Sequence, residues 1–322
     1  MSENKALSVF MTGANGGMGK AVTRLLCQKE VASIVMAARD ANKAALARDE
    51  LLKMQALGSH ISTQLIAAKG DFDMNAPDKI EAAIKALPDD IQFDVVFLQA
   101  GGVVFSKDYE TVKWNGHVIE KTIFQNVIGA HITLFFLKKY QKLAPNVRVV
   151  YAGGEGARGI PGMIKVPSFT SANALREYIF NKSNTEQYHP MNAIGVSKFM
   201  GALWTMALAK KEANMEVIWF SPGLTYGTDG LMDLPIVKRW VMENIMFKLM
   251  QLLGKAQSPQ QGAQKFVDCL LGKVGKNGEV IGAPKGKTLG ALMDQIPMNP
   301  ALNDLALQNE FWSILKEVEG EN

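Results

Sequence analysis

The stretch LSVFMTGANGGMGKAV, residues 7–22, constrains this chain more than any other. A short apolar run ends at Met11 in a glycine-rich turn, and helical spacing follows it. A strand that feeds a helix through Gly13, Gly17 and Gly19 is the arrangement a dinucleotide site needs. Gly13 allows the tight turn, Gly17 lets backbone approach a pyrophosphate, and Gly19 permits close packing of helix on strand. The first turn of the helix then presents unpaired N–H groups to the anion.

Further strand-like runs fall at 32–37, 62–67, 93–98, 147–152 and 216–221. Helical spacing separates them at 20–29, 40–57, 77–87, 116–142 and 191–213. Short strands alternating with longer helices predict an α/β fold, a doubly wound (Rossmann) parallel sheet covered on both faces, from residue 1 to about 225. Beyond it, 229–254 is rich in Met, Leu and Ile at helical spacing. Ser258-Pro259 reads as an N-cap and first-turn pair. A short strand near Val280 and an amphipathic helix over about 301–318 close the chain. Nothing marks a second domain, so residues 1–322 read as one domain with a C-terminal helical lid and tail over about 229–322.

Composition removes several function classes. The net charge of +4 is modest, and the basic residues are dispersed, which excludes a nucleic-acid-binding patch. Cys27 and Cys269 match no metal or redox spacing, so no metal site and a reducing, cytoplasmic location are expected. The N-terminal MSENKALSVF is no signal peptide. The longest apolar run, 127–137, is too short to span a bilayer and contains His131.

The second predicted strand ends MAARD. Ala38 stands where an acid would bind the ribose 2′-hydroxyl of NAD, and Arg39 follows it, which favours the 2′-phosphate of NADP(H). The other reading of Arg39 is a solvated side chain paired with Asp40.

The pattern T-G-x-x-x-G-x-G, Thr12 to Gly19, resembles the short-chain dehydrogenase/reductase family, and the resemblance extends over nearly the whole chain. Asp73 in GDFDMN resembles the family's adenine-contacting aspartate. Asn126 in QNVIGAH resembles the asparagine that kinks the long central helix and orders a water near the catalytic lysine. RVVYAGG resembles the fifth strand, Ser197-Lys198 the active-site helix, and SPGLTYGT the loop after the sixth strand. SPQQGAQ and the insertion at about 157–190 resemble the retinol-dehydrogenase-like branch, whose members favour apolar carbonyls and alcohols. The implied cofactor site comprises Thr12, Gly13, Asn15, Gly16, Gly17, Met18 and Gly19. Arg39, Asp73, Ala100, Gly101, Lys198, Pro222 and Gly223 complete it.

Three departures bear on the chemistry. Gln99 fills the asparagine slot of the family's N-A-G segment, a mild change. Both candidate positions for the substrate-binding serine, Gly153 and Gly154, are glycine. The family's Tyr-x-x-x-Lys is here Ile194-x-x-x-Lys198. A tyrosine beside a lysine can protonate a developing alkoxide, whereas Ile194 cannot, so ordinary ketone reduction is expected to be slow. Retained Asn126 and Lys198 are the expected catalytic remnants. Tyr188 and His189, just before the active-site helix, are candidate substitute donors, with a surface loop pair as the other reading. Tyr151 reads as a packed strand residue, and His117 and His131 as structural residues of the long helix.

The Met-rich segment 240–253 sits where the resembled family places its substrate lid and suits a bulky hydrophobic ligand; the other reading is a helix packed on the core or on a partner subunit. A homodimer through 126–142 and the active-site helix is also implied. The functional expectation is an NADPH-dependent oxidoreductase acting on an apolar carbonyl or enone. The alternative is a catalytically inactive NADP(H)-binding regulator or sensor.

Overall fold

The run SVFM forms β1 (Ser8–Met11), in which Val9, Phe10 and Met11 are fully buried. A strand apolar on both faces belongs in the middle of a parallel sheet. β2 (Ser33–Met36) pairs on one side of β1 and β4 (Phe93–Leu98) on the other, both parallel. β3 (Gln64–Ala67) lies beyond β2. β7 (Leu143–Ala152), β8 (Met215–Phe220), β9 (Val280–Gly282) and a short antiparallel β10 (Met293–Asp294) extend the sheet beyond β4. The order β10-β9-β8-β7-β4-β1-β2-β3 winds outward in two directions, so this is a doubly wound α/β fold. The computed structural model describes residues 6–29, 31–56, 62–106, 108–180, 188–226, 240 and 247–320.

Helices α1 (Gly17–Cys27), α2 (Ala41–Ala56) and α8 (Pro259–Leu270) pack on one face of the sheet. Ser258 and Gln261 start α8 with a reciprocal capping box, as Ser-Pro suggested. On the other face lie α3 (Pro77–Lys85), α4 (residues 121–139) and α6 (Pro190–Lys211). Between Lys121–Ile123 and Gly129–Lys139, α4 carries a π-helical turn, Phe124–Ile128, with Asn126 inside it. Such turns are frequent at functional sites.

The expected helix over 116–142 starts later than predicted. Residues 111–120 form a hairpin, β5 (Thr111–Trp114) and β6 (His117–Glu120), and His117 lies on a strand. The turn is Asn115-Gly116, both at positive φ, between alternating residues. Asn-Gly in that setting is a strong hairpin signal, which outweighed the helical spacing.

The insertion carries α5 (Ala172–Phe180), which packs on the C-terminal helix α9 (Leu305–Glu319). Arg176 of α5 pairs with Glu310 at 2.7 Å and also with Glu317. Trp114 Nε1 and Asn115 Nδ2 donate to Val318 O at 3.0 and 2.8 Å, so the hairpin caps the end of α9. The α9 residues Phe311, Ile314, Leu315 and Val318 are fully buried, and the helix packs on α6 and α4. His131 of α4 lies 2.6 Å from the Glu319 carboxylate. The helix pair expected to form a homodimer interface is thus covered by the chain's own tail.

Of 229–254, the structure describes Trp240 and residues 247–254, with α7 at Phe247–Leu252; the rest lies outside the described residues, as do 181–187 of the insertion. Leu249 and Leu252 are exposed. Among the described residues no helix is long and apolar enough to cross a membrane, and no three His, Cys, Asp or Glu cluster as a metal site.

Phe311→Ala should destabilise the protein by about 3–5 kcal/mol, the usual cost of emptying a buried aromatic site. Urea unfolding checks this.

Candidate active site

The two directions of winding part between β1 and β4, which leaves a crevice at the carboxyl ends of these strands. Thr12, at the end of β1, is buried, and its Oγ1 accepts from the N–H groups of Gln99 and Ala100, each at 3.1 Å. This side chain fixes the loop after β4 against the glycine turn. Gly13 has φ +67°, and a Cβ there would lie 3.3 Å from Ala100 Cα. A Cβ on Gly19 would strike Gly13 O and come within 2.8 Å of Gln99 Nε2. Gln99 therefore helps close the turn, donating to Gly13 O at 3.4 Å.

α1 begins at Gly17 with Gly16 as N-cap, no side-chain cap and no acid in its first turn. Its leading N–H groups are left for an anion. Asn15 and Met18 sit half-buried along this turn, with Met18 against α8 at Gly262. Arg39, at the end of β2, is exposed, and the Asp40 carboxylate accepts from Asn42 N–H at 2.7 Å rather than pairing with it. Phe72 N–H donates to Ala38 O at 2.9 Å, which brings Asp73 beside the same strand end. Glycine cradle, uncapped helix and exposed arginine fit a dinucleotide with an additional phosphate.

Asn126 bridges two parts of the crevice. Its Oδ1 accepts from Gly102 N–H at 3.0 Å, and its Nδ2 donates to the carbonyls of Gly102 and Thr122 at 2.9 and 2.8 Å. A Cβ on Gly101 would collide with Asn126 Oδ1. The carbonyl exposed by the π-helical turn receives the Tyr151 hydroxyl at 3.0 Å. Tyr151 is buried, and desolvation pushes its pKa well above the ordinary phenol value. It is a packed strand residue and a neutral donor.

Lys198 lies on α6, two turns in from Pro190, and its Nζ donates to Ala152 O at 2.9 Å. Burial pulls its pKa down to about 8, against the charge of Glu155, which favours the ammonium. Glu155 was missed by sequence reasoning. It is buried where β7, β8 and β9 end, accepting from Ser221 Oγ at 2.7 Å and Ala283 N–H at 3.2 Å. Lys265 is likewise lowered by desolvation and raised by Glu155, and its Nζ donates to Pro222 O at 3.0 Å. Together with Gln257, it holds the Pro222-Gly223 loop against the crevice.

Gly153 and Gly154 differ in their surroundings. A Cβ on Gly153 would overlap the Trp219 indole, whereas one on Gly154 would be in ordinary contact with the Lys198 side chain, at 3.5–3.7 Å. Gly154 therefore leaves space beside Lys198, and Ile194, one turn earlier on α6, is buried.

Tyr188 and His189 do not come together with Lys198 through any hydrogen bond. The Tyr188 hydroxyl donates to Glu120 Oε1 at 2.9 Å and lies 3.0 Å from Thr122 Oγ1. Desolvation raises its pKa, and Glu120 raises it further. Glu120, fully buried, also accepts from Ile123 N–H at 2.7 Å, and its own pKa is raised by desolvation. Its hairpin position was the signal sequence reading passed over. His189 is the exposed N-cap of α6.

A protein-family model described as "KR domain" matches residues 8–106, which run from β1 through the loop after β4. No curated protein shows significant sequence similarity to the chain. Solved structures with the same fold include L-sorbose reductase from Gluconobacter frateurii, complexed with NADPH and L-sorbose. It is 16% identical, covers 83% of this chain and 90% of its own, and has a TM-score of 0.56. A short-chain type dehydrogenase/reductase from Mycobacterium marinum is 15% identical over 82% of this chain and 88% of its own, with a TM-score of 0.55. The 3-ketoacyl-(acyl-carrier-protein) reductase from Brucella melitensis, complexed with NADH, is 16% identical over 84% and 92%, with a TM-score of 0.53. The fold is the Rossmann-like fold of the short-chain dehydrogenases/reductases.

Gly154→Ser should leave stability within about 0.5 kcal/mol of the parent. Gly153→Ser should cost about 1–3 kcal/mol through overpacking against Trp219. Paired thermal melts compare the two.

Proposed function

We propose that the chain is a short-chain dehydrogenase/reductase, an NADPH-dependent oxidoreductase acting on a hydrophobic carbonyl or enone, with Lys198 as the proton donor. The observation that carries this reading is the lysine itself, desolvated to a pKa of about 8, beside the space left by Gly154. Catalytic lysines are tuned to about 7–8 in this way, because a donor works best near the operating pH. A bound nicotinamide cofactor would supply the hydride. Thr12, Gly13, Gly16, Gly17 and Gly19 would hold its pyrophosphate, Arg39 its 2′-phosphate and Asp73 its adenine. Pro222, Gly223, Ala100 and Gly101 would line the nicotinamide end.

The remaining steps belong to the chain's own side chains. An ammonium has three donors, and Ala152 O takes one of those on Lys198. A second can bond to a substrate oxygen as negative charge develops there, then pass its proton across. Glu155 keeps the lysine charged enough to act, and Asn126 holds the loop after β4 in register with α4. That loop continues as Val103, Val104 and Phe105, and Ile194 replaces a polar donor, which supports an apolar substrate. An enone demands least of this site, because its enolate can be protonated without one fixed phenol.

NADPH oxidation against a panel of ketones, enones and quinones tests the proposal. Tight NADPH binding with no turnover would return the chain to the alternative, a non-catalytic NADP(H)-binding regulator or sensor. If Lys198 donates the proton, the active form is the ammonium, so reduction falls as pH rises through about 8. Lys198→Met should lower the rate by about 10²–10⁴-fold and abolish that limb of the pH profile, as expected for loss of a general acid. Arg39→Ala should weaken NADPH binding by about ten- to a hundredfold and leave NADH binding unchanged, the effect of removing a charged hydrogen bond of about 1.5–3 kcal/mol. Fluorescence titration with both cofactors measures it.

A further inference from the structure

A cavity of about 690 Å³ lies at the N-terminal end of α6, outside the crevice described above. One wall is the turn 160–164, closed by Ile160 N–H to Ile164 O and Ile164 N–H to Ile160 O, both at 2.9 Å. The others are the first turn of α6, at His189 and Asn192, and the segment at Lys285 and Gly286. Asn192 precedes Ile194 by two residues, so about 200° of helix rotation separates them and they face opposite sides of α6. Gly156 and Gly195 pack backbone to backbone, with Ile164 of the cavity wall against both. Neither Lys198, Ile194 nor Gly154 lines the cavity.

Its charge is one-sided. Arg158, Lys165 and Lys285 line it, and among the described residues no Asp or Glu does. Arg158 is 7% exposed, and its Nε and Nη2 donate to Gln295 Oε1 at 2.8 Å and to the carbonyls of Pro284 and Lys287 at 3.2 and 2.6 Å. These hydrogen-bond partners are neutral, and the buried Glu155 acts on the guanidinium through its field without forming an ion pair with it. Lys165 and Lys285 are exposed and without an ion-pair partner among the described residues. The same cavity is lined by Ile160, Met163, Val166 and Met298, and Met163 and Val166 are 48% and 59% exposed. Cations without acids, beside apolar side chains left open to water, match a ligand with an anionic head and an aliphatic body.

We infer that this cavity is a second binding site, for an aliphatic carboxylate. The head sits between Lys165 and Lys285, in the field of Arg158, and the chain lies along Ile160, Met163 and Val166. A carboxylate suits the site better than a phosphate. The two cations without an ion-pair partner among the described residues are lysine point charges, and the guanidinium fork that would grip a phosphate bidentately is engaged by carbonyls. The volume is in the range of sites that enclose a drug-sized molecule. The inference does not rest on the oxidoreductase reading, because none of these residues belongs to the dinucleotide crevice.

The test is calorimetric titration of the full chain, free of nicotinamide, with decanoate, decanol and decyl phosphate. Decanoate should bind one to one, at least about tenfold tighter than decanol, the factor that one charged contact of about 1.4 kcal/mol supplies. The double variant Lys165→Glu, Lys285→Glu should lose at least about tenfold in decanoate affinity, by the same conversion. Val166→Asp, at an exposed position, should weaken it independently, and thermal melts of all variants should match the parent. Prior saturation with NADPH should leave decanoate binding unchanged. Equal affinity for decanoate and decanol, no binding of decanoate, or an unaffected double variant would overturn the assignment. Tighter binding of decyl phosphate would overturn the carboxylate choice, and competition with NADPH would overturn the second site.

Discussion

The whole site depends on the parting of the chain between β1 and β4. Two parallel strands leave the same place in opposite windings, and their following loops must separate. The buried Thr12 hydroxyl limits that separation by accepting from two successive N–H groups of the other loop. The result is a crevice of fixed width, floored by glycines whose missing side chains leave backbone exposed. A side chain at Gly13 would press on Ala100 of the opposing loop, and one at Gly19 would strike Gly13 O and Ala14 of the turn itself. Asn126 extends the same fastening to α4 with three hydrogen bonds from one amide group.

A second constraint is the burial of charge around Glu155. One carboxylate lies near the ends of three strands, accepting from Ser221 after β8 and from Ala283 after β9. Its field opposes the desolvation of Lys198, Lys265 and Arg158 alike. Burial lowers each cation's pKa and the acid restores part of it. Lys198 thereby comes to rest where small changes in pH alter its protonation.

Legibility in the sequence varied with the range of the interactions involved. The strands and their flanking helices were readable because runs such as FDVVFL are apolar on both faces. The start of α8 was readable because Ser258 and Gln261 cap it locally. The Asn115-Gly116 turn was equally local, and reading the region as one helix overlooked it. Glu120 and Glu155 were not legible as buried acids, since nothing near them in sequence reports that distant elements would enclose them. The coverage of α4 and α6 by α9 was hidden for the same reason. An amphipathic tail shows that it needs a partner, but not that the partner is the helix pair that a second subunit would otherwise contact.

The sequence by itself determined the doubly wound sheet and the glycine turn that fits a dinucleotide. These follow from residue identity and short-range periodicity, which act within a few residues. Only the tertiary structure decided that Gly153 is required by Trp219 while Gly154 is open, and that the Tyr188 hydroxyl is bound to Glu120. It also decided that Lys198 is desolvated at a carbonyl, and that cations without an ion-pair partner among the described residues gather at the start of α6. Each of these depends on burial and on electrostatic fields from elements far apart in the chain, and those exist only once the chain has folded.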